Sequence, residues 1–119
     1  MTEKHSPEKI VQLQLDYYNQ QDIDGFVSTY TPDVLITEHP SGNVLVRGAE
    51  ALRERYAKMF AANPDNHAKL VNRITFGPFV IDLEEVSGRD QREPFQAVAI
   101  YEVRNQLISS VTFLEKREE

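Results

Sequence analysis

Two side chains that could move protons stand next to each other, Glu38 and His39. A carboxylate can act as a general base when burial raises its pKa toward neutrality. A histidine titrates near pH 6.5 and can serve as acid or base. We therefore predict that Glu38 or His39 is catalytic. The alternatives are an exposed charge at a strand end for Glu38 and a rim or dimer-interface position for His39.

A second set of side chains could hold a small molecule. Polar or amphipathic groups occur among the positions predicted to face inward: Gln14, Tyr18, Tyr30 and Tyr56. Apolar groups that could form the wall beside them are Phe60, Val98 and Ile100. An apolar cavity with a few convergent polar groups is the usual small-molecule site. We expect a small apolar ligand with one polar head. The alternative is that the tyrosines are core or interface residues whose hydroxyls reach water.

Neither a metal ion nor a cofactor is predicted. The sequence has no cysteine, which excludes thiolate catalysis and zinc–thiolate sites. It has three histidines, and their spacing pairs none of them as metal ligands.

Length and charge limit the class of protein. The chain has 119 residues, which predicts a single domain spanning 1–119. Its net charge of −6 argues against a nucleic-acid partner or an anionic membrane surface. No apolar run approaches the roughly 20 residues of a membrane helix, and residues 1–5 are not typical of a signal peptide. We therefore expect a cytoplasmic protein.

The elements that must position these residues follow from hydrophobic spacing. Ser6 and Pro7 predict the start of a first helix, as N-cap and first helical residue. Two further helices are predicted over 22–30 and 49–62, and strands over 34–39, 44–47, 67–76, 79–87, 94–104 and 107–115. This order predicts the α+β class, with three helices against a curved, mostly antiparallel sheet. If the sheet curls, the helices close one side of a cone and leave an open mouth.

Strand alternation predicts which of the two proton-transfer candidates faces inward. Glu38 shares a face with the apolar residues Val34 and Ile36, which favours Glu38 over His39. In strand 94–104 both faces are apolar. We expect Val98 and Ile100 to face the cavity and Tyr101 to face outward. The apolar outer face then predicts a homodimer packed through the last strands.

Three segments resemble a known family. Residues 10–27 resemble its first two helices and the turn between them, residues 30–34 its entry to the first strand, and residues 47–56 the start of its third helix. The chain is identified by these segments as a member of the nuclear transport factor 2-like superfamily, in the SnoaL-like and ketosteroid isomerase branch. The resemblance implies a conical α+β barrel, an apolar pocket and a homodimer packed through the outer sheet face.

The resemblance also assigns roles by position. In ketosteroid isomerase a carboxylate near the end of the first strand moves a proton, while a tyrosine and a protonated aspartate hold the enolate oxygen. The carboxylate position falls on Glu38, or on His39 in the alternative alignment. The tyrosine position falls on Gln14 and the aspartate position on Ile100, while Tyr56 matches a supporting tyrosine. Losing one such donor typically costs about 10²–10³ in rate, so efficient steroid isomerisation is not expected.

Three functions remain open at this point. The chain could be a cofactor-free enzyme of the isomerase, cyclase or dehydratase (lyase) kind, a binding protein with the same pocket, or a non-catalytic protein-interaction module. The fold alone does not decide among them, because it hosts all three.

Overall fold

The computed structural model describes residues 6–116, so residues 1–5 and 117–119 of the predicted domain lie outside the described part. The elements in chain order are α1 (Pro7–Gln20), α2 (Ile23–Ser28), β1 (Tyr30–His39), β2 (Val44–Arg47), α3 (Ala49–Ala62), β3 (His67–Phe76), β4 (Phe79–Ser87), β5 (Phe95–Arg104) and β6 (Leu107–Leu114). Three helices pack against one six-stranded sheet, which confirms the α+β class. Within residues 6–116 no helix is long and apolar enough to cross a membrane.

Helix α1 begins and ends where the local chemistry requires. The Ser6 hydroxyl accepts a 3.1 Å hydrogen bond from the backbone N–H of Lys9, and Pro7 occupies the first turn. The helix ends at Gln20, and the left-handed backbone of the next residue, Gln21, turns its N–H back onto the carbonyls of Tyr17 and Tyr18. Its buried side, which includes Gln14 and Tyr18, faces the sheet.

Helix α2 is shorter than predicted, and Tyr30 belongs to β1 instead. The Thr29 side chain and N–H both bond to the Phe26 carbonyl, which closes the last turn. The Thr29 carbonyl then accepts a 2.9 Å hydrogen bond from Ile108 of β6. The sheet therefore captures the chain one residue before Tyr30, although the apolar spacing continues the helical pattern.

The strand order in the sheet is β2-β1-β6-β5-β4-β3. All neighbours are antiparallel except β1 and β6, which are parallel. The sheet does not close into a continuous barrel, because β2 and β3 remain its two edges. The helices cover one face, and the core lies between them and this inner face.

The structure reverses the expected faces of β5 at Ile100 and Tyr101. Tyr101 is buried on the inner face, where it pairs with Val80 and Val111. Ile100 points the other way and pairs with Ile81 and Thr112. Alternation could not distinguish the two faces because both are apolar in this strand. The neighbouring strands show which face is inner, because Val80 and Val111, the partners of Tyr101, are both buried.

The outer face of the sheet is apolar over the β3–β5 region. Ile74 and Phe76 are 56% and 75% exposed, and Phe76 pairs with the half-buried Phe79. Ile81 and Ile100 continue this surface toward the centre of the sheet. The predicted homodimer stays a prediction, now assigned to these outer residues rather than to Tyr101.

Candidate functional site

A cavity of about 700 Å³ lies between helices α1 and α3 and the inner face of the sheet. All six strands, the β4–β5 loop and residues 115–116 supply the rest of its wall. Small-molecule sites typically measure about 300–1,000 Å³. The volume of the cavity is therefore in the range expected for a site that binds a small molecule.

Most of the residues singled out in the sequence line this cavity. The residues on its wall are Gln14, Tyr18, Tyr30, Glu38, Tyr56 and Val98. Three others do not line it: His39, Phe60 and Ile100. Phe60 is a core residue whose ring packs 5.5 Å from that of Tyr18 and 6.3 Å from that of Tyr56.

Alternation in β1 separates Glu38 from His39. Glu38 pairs with Phe113 of β6, another residue of the cavity wall. His39 pairs with Leu114 and is exposed. Glu38 is held in place by its backbone, whose N–H donates to Asn43 and whose carbonyl accepts from Gly42. The carboxylate of Glu38 is therefore the one of the two groups that a ligand in the cavity can reach.

Glu84 is the ionisable group that the sequence analysis missed. It lies on the inner face of β4, lines the cavity and is only 7% exposed. Burial raises its pKa from 4.5 to about 7, helped by the negative charge of Asp82 and opposed by Arg73. Such a carboxyl group can both accept and donate a proton near neutral pH.

An ion pair next to Glu84 explains why its charge is not compensated. The Arg73 guanidinium donates to both carboxylate oxygens of Asp82, over 2.7 Å from Nε and 2.9 Å from Nη2. Nη1 of Arg73 donates to Gln12. The geometry commits this arginine to Asp82, so Glu84 shares only its long-range field.

Several hydroxyls surround the cavity in protonated form. Burial raises the pKa of Tyr30, Tyr56 and Tyr101, and the charge of Glu84 contributes in each case. These phenols therefore keep their protons at neutral pH and can donate hydrogen bonds. Gln14 is 5% exposed, and its side-chain oxygen has no hydrogen-bond partner among the residues described. A buried orphan acceptor on a cavity wall is a natural contact for a ligand donor.

The β4–β5 loop brings a cation to the same cavity. Arg89 donates from Nε to the Asn66 side chain over 2.5 Å and from Nη2 to the Tyr18 hydroxyl over 3.2 Å. The backbone N–H of Asp90 donates to the Asn63 side chain over 2.8 Å, which fixes the loop. From the sequence, this segment is simply a polar loop, and nothing in it signals a role for Arg89.

The acids of β4 also carry no local signal. Asp82 and Glu84 alternate with Ile81 and Leu83, so a single strand read alone places the acids outward. Pairing with β3 and β5 reverses this, because Asp82 lies opposite Arg73 and Ala99. The signal that would have revealed the buried acids is an arginine, Arg73, at the paired position of the neighbouring strand. Over residues 6–116, no cluster of three or more potential metal ligands is present.

The sequence profile of the SnoaL-like domain matches residues 11–111. Among proteins whose functions are curated, none matches this sequence.

Several solved structures share the fold. An uncharacterised cystatin-fold protein from Novosphingobium aromaticivorans is 30% identical with a TM-score of 0.86, covering 93% of this chain and 99% of that one. A nuclear transport factor 2-like protein of unknown function from Cytophaga hutchinsonii is 13% identical with a TM-score of 0.78, covering 95% and 92%. A protein from Sinorhizobium meliloti, provisionally named a polyketide cyclase, is 18% identical with a TM-score of 0.77, covering 92% and 99%.

Proposed function

We propose that this chain, which belongs to the SnoaL-like domain family and has the nuclear transport factor 2-like fold, binds a small, largely apolar carbonyl compound and moves a proton on it without a cofactor. The observation that carries the proposal is Glu84, a buried carboxyl group on the wall of a cavity of about 700 Å³, with a pKa of about 7. A catalytic pKa near the working pH is the most effective for proton transfer.

The cavity wall supplies the groups that such a reaction needs. Glu84 in its ionised form takes a proton from the carbon next to the carbonyl, which leaves an enolate. The enolate oxygen accepts hydrogen bonds from buried phenols, of which Tyr30, Tyr56 and Tyr101 are available. Donors placed where charge develops in a dry site usually contribute most to the rate. Return of the proton from Glu84 to a different carbon of a conjugated enolate gives isomerisation. Loss of a β-hydroxyl group, which takes the proton from Glu84 and leaves as water, gives dehydration. Attack of the enolate carbon on a second carbonyl carbon of the same ligand breaks that C=O π bond and gives cyclisation, and the alkoxide formed takes the proton from Glu84.

Glu38 is proposed as a second proton-transfer group on the opposite part of the wall. Strands β1 and β4 are separated in the sheet by β6 and β5. Three strand spacings correspond to about 14 Å along the sheet, so a ligand can lie between the two carboxyl groups. His39 has no part in the proposal because it lies outside the cavity wall. Efficient steroid isomerisation is not proposed, since Gln14 replaces the phenol expected from the family.

A small ketone with acidic α-hydrogens tests this proposal directly. We expect the protein to accelerate exchange of the α-hydrogens of 2-tetralone in deuterated water, followed by NMR. Glu84→Gln should lower the rate by about 10²–10⁴, the usual contribution of a positioned acid or base. Glu85→Gln is the matched control, because Glu85 is the exposed neighbour of Glu84. No acceleration by the wild-type protein, or an unchanged rate in Glu84→Gln, would contradict the proposal.

The outer sheet face supports a second proposal, that two copies of the chain pack through it. Phe76 and Ile74 are too exposed and too close to Phe79 and Ile81 to be isolated surface residues. A second copy would cover this face, as the family resemblance implies. The alternative of a non-catalytic interaction module would use the same surface, but it gives no reason for a buried carboxyl group in a cavity.

A further inference from the structure

We propose that the ligand of this cavity is an acid, with its anionic group bound by Arg89 and Arg92 at the mouth and its apolar body directed toward Glu84. This rests on the proposed function in one respect, since it takes the same cavity as the ligand site. It replaces the polar head expected from the sequence with a specific charge, and it names the residues that would hold it.

The first observation is the distribution of cations in an acidic protein. The chain has a net charge of −6, yet four of its 13 lysines and arginines line the cavity: Arg55, Arg89, Arg92 and Lys116. Three glutamates share the wall: Glu38, Glu84 and Glu115. The cavity is thus more positive than the rest of the molecule, which attracts an anion and not a cation.

The second observation is that Arg89 is fixed without being neutralised. Its two hydrogen-bond partners, the Asn66 side chain and the Tyr18 hydroxyl, are both neutral. None of the ion pairs found in residues 6–116 includes Arg89, Arg92 or Arg55. The positive charge of Arg89 reaches Tyr56, where it partly offsets the rise in the phenol pKa that burial causes. A half-buried guanidinium that faces a cavity and has no carboxylate is suited to a ligand carboxylate.

The loop that carries Arg89 is built to hold this position. Gly88 has a positive φ of 77°, and a Cβ there would collide with the carbonyl of Asp65. The loop therefore packs directly against the segment before β3, where Asn63 and Asn66 supply its side-chain anchors. Such preorganisation reduces the entropy that a ligand must overcome on binding.

Arg92 places a second guanidinium beside the first. Its guanidinium carbon lies 3.7 Å from the centre of the Phe95 ring, and that of Arg89 lies 5.8 Å from the same centre. Both guanidinium groups therefore lie near the same ring of the cavity wall. An anion there would contact both guanidinium groups, and its apolar body would lie against Phe95 and Ala97.

The register of the sheet relates this point to Glu84. Phe95 pairs with Val86, and Ala97 pairs with Glu84. Two residues along a strand span about 7 Å, which is the length of one ring system. A ligand anchored at the arginines therefore presents its reactive carbon to Glu84 when one ring or about five carbons separate the two groups. The substrate class is an apolar acid with a carbonyl group at that spacing.

The test compares two probes with the same ring system, the anion 2-naphthoate and its neutral methyl ester. We expect the wild-type protein to bind 2-naphthoate at least tenfold more tightly than the ester by calorimetry. Arg89→Met should weaken 2-naphthoate by about tenfold or more, the usual effect of losing a charge-assisted hydrogen bond, and leave the ester within about twofold. Arg92→Met should act in the same direction. Arg53→Met is the control, because Arg53 is a solvent-exposed arginine of α3 paired with Asp24 and is not part of the cavity wall.

Folding of each variant is checked by thermal unfolding. If Arg89→Met disrupts the β4–β5 loop, Arg89→Lys, which keeps the positive charge, is measured in its place. Equal affinity for acid and ester would overturn the inference, as would binding of neither probe. Equal losses in the arginine variants and in Arg53→Met would also overturn it. The proposed function fails separately: absent exchange of 2-tetralone, with 2-naphthoate still bound through Arg89, would refute the reaction and keep the anion site.

Discussion

Arg73 donates two hydrogen bonds to Asp82, of 2.7 Å and 2.9 Å, in a pair whose side chains are 9% and 0% exposed. Glu84 lies two residues further along the same face of β4. Arg73 is therefore the cation nearest to two buried acids, and both of its hydrogen bonds to a carboxylate go to Asp82. The second acid is left to titrate near neutrality, which makes Glu84 the chemically useful group.

Glu84 should make the stability of the protein depend on pH. Its pKa is raised from 4.5 to about 7 on folding. Between these values the folded protein binds the proton more tightly than the unfolded chain, so the free energy of unfolding falls as pH rises. One pKa unit corresponds to about 1.4 kcal/mol, so Glu84→Gln should be more stable than wild type by up to about 3 kcal/mol at pH 8. At pH 4 the two should differ little.

Urea unfolding at a series of pH values measures this difference. Glu85→Gln should follow the wild-type curve, because Glu85 is exposed. A Glu84→Gln curve parallel to that of the wild type would show that Glu84 is not the group responsible.

Breaking the Arg73–Asp82 pair should be costly. Arg73→Met leaves the Asp82 carboxylate buried and unpaired, which typically destabilises a protein by about 3–5 kcal/mol. Adding Asp82→Leu should restore most of the loss, since no isolated charge then remains. Arg104→Met is the comparison, because the Arg104–Asp33 pair is exposed and should contribute little to stability. The prediction is wrong if urea unfolding gives Arg73→Met and Arg104→Met similar stabilities.

Glu38 and His39 should separate cleanly in exchange of 2-tetralone. Glu38→Gln keeps the shape of the side chain but removes a carboxylate from the cavity wall, so we expect a slower reaction. His39→Gln should leave the rate unchanged, because His39 is exposed and lies outside the wall. The NMR assay is the same for both. The opposite pattern would mean that the ligand approaches from the outer side of β1.

The outer sheet face should control the oligomeric state. We expect light scattering at micromolar concentration to give twice the chain mass of 13.7 kDa. Phe76→Glu should shift the protein toward monomer, because it buries a charge in the proposed interface. Val44→Glu should not, although Val44 is also an exposed apolar residue, because it lies on β2, at the opposite edge of the sheet from Phe76. A wild-type mass of one chain would rule out the dimer.

The sequence predicts those parts of the fold that depend on local chemistry. Ser6 and Pro7 determine where α1 begins, and the alternation of Val34, Ile36 and Glu38 indicates which carboxylate faces inward. Both are decided within a few residues. The apolar spacing predicts that Tyr30 belongs to a helix, whereas in the structure the hydrogen bond from Ile108 to the Thr29 carbonyl ends the helical segment and Tyr30 begins β1.

The rest of the site depends on partners that are distant in sequence. Asp82 and Glu84 are charged residues in a strand, and propensity alone assigns them to solvent. The register with β3 places Arg73 opposite Asp82, and the ion pair between them compensates the burial of the Asp82 charge. Arg89 is likewise fixed by Asn66 and Tyr18, 23 and 71 residues away in the chain.

The parallel pairing of β1 with β6 has a consequence for how the domain assembles. Within residues 6–116, it is the sole junction between the β1–β2 hairpin and the β3–β6 meander, each of which is closed by local turns. Tyr30 must find Ile108 after most of the chain has been made. Long-range parallel pairing of this kind is slow to form. The β1–β6 pairing should therefore form last and open first, so its amides should exchange with solvent faster than those inside the β3–β6 meander.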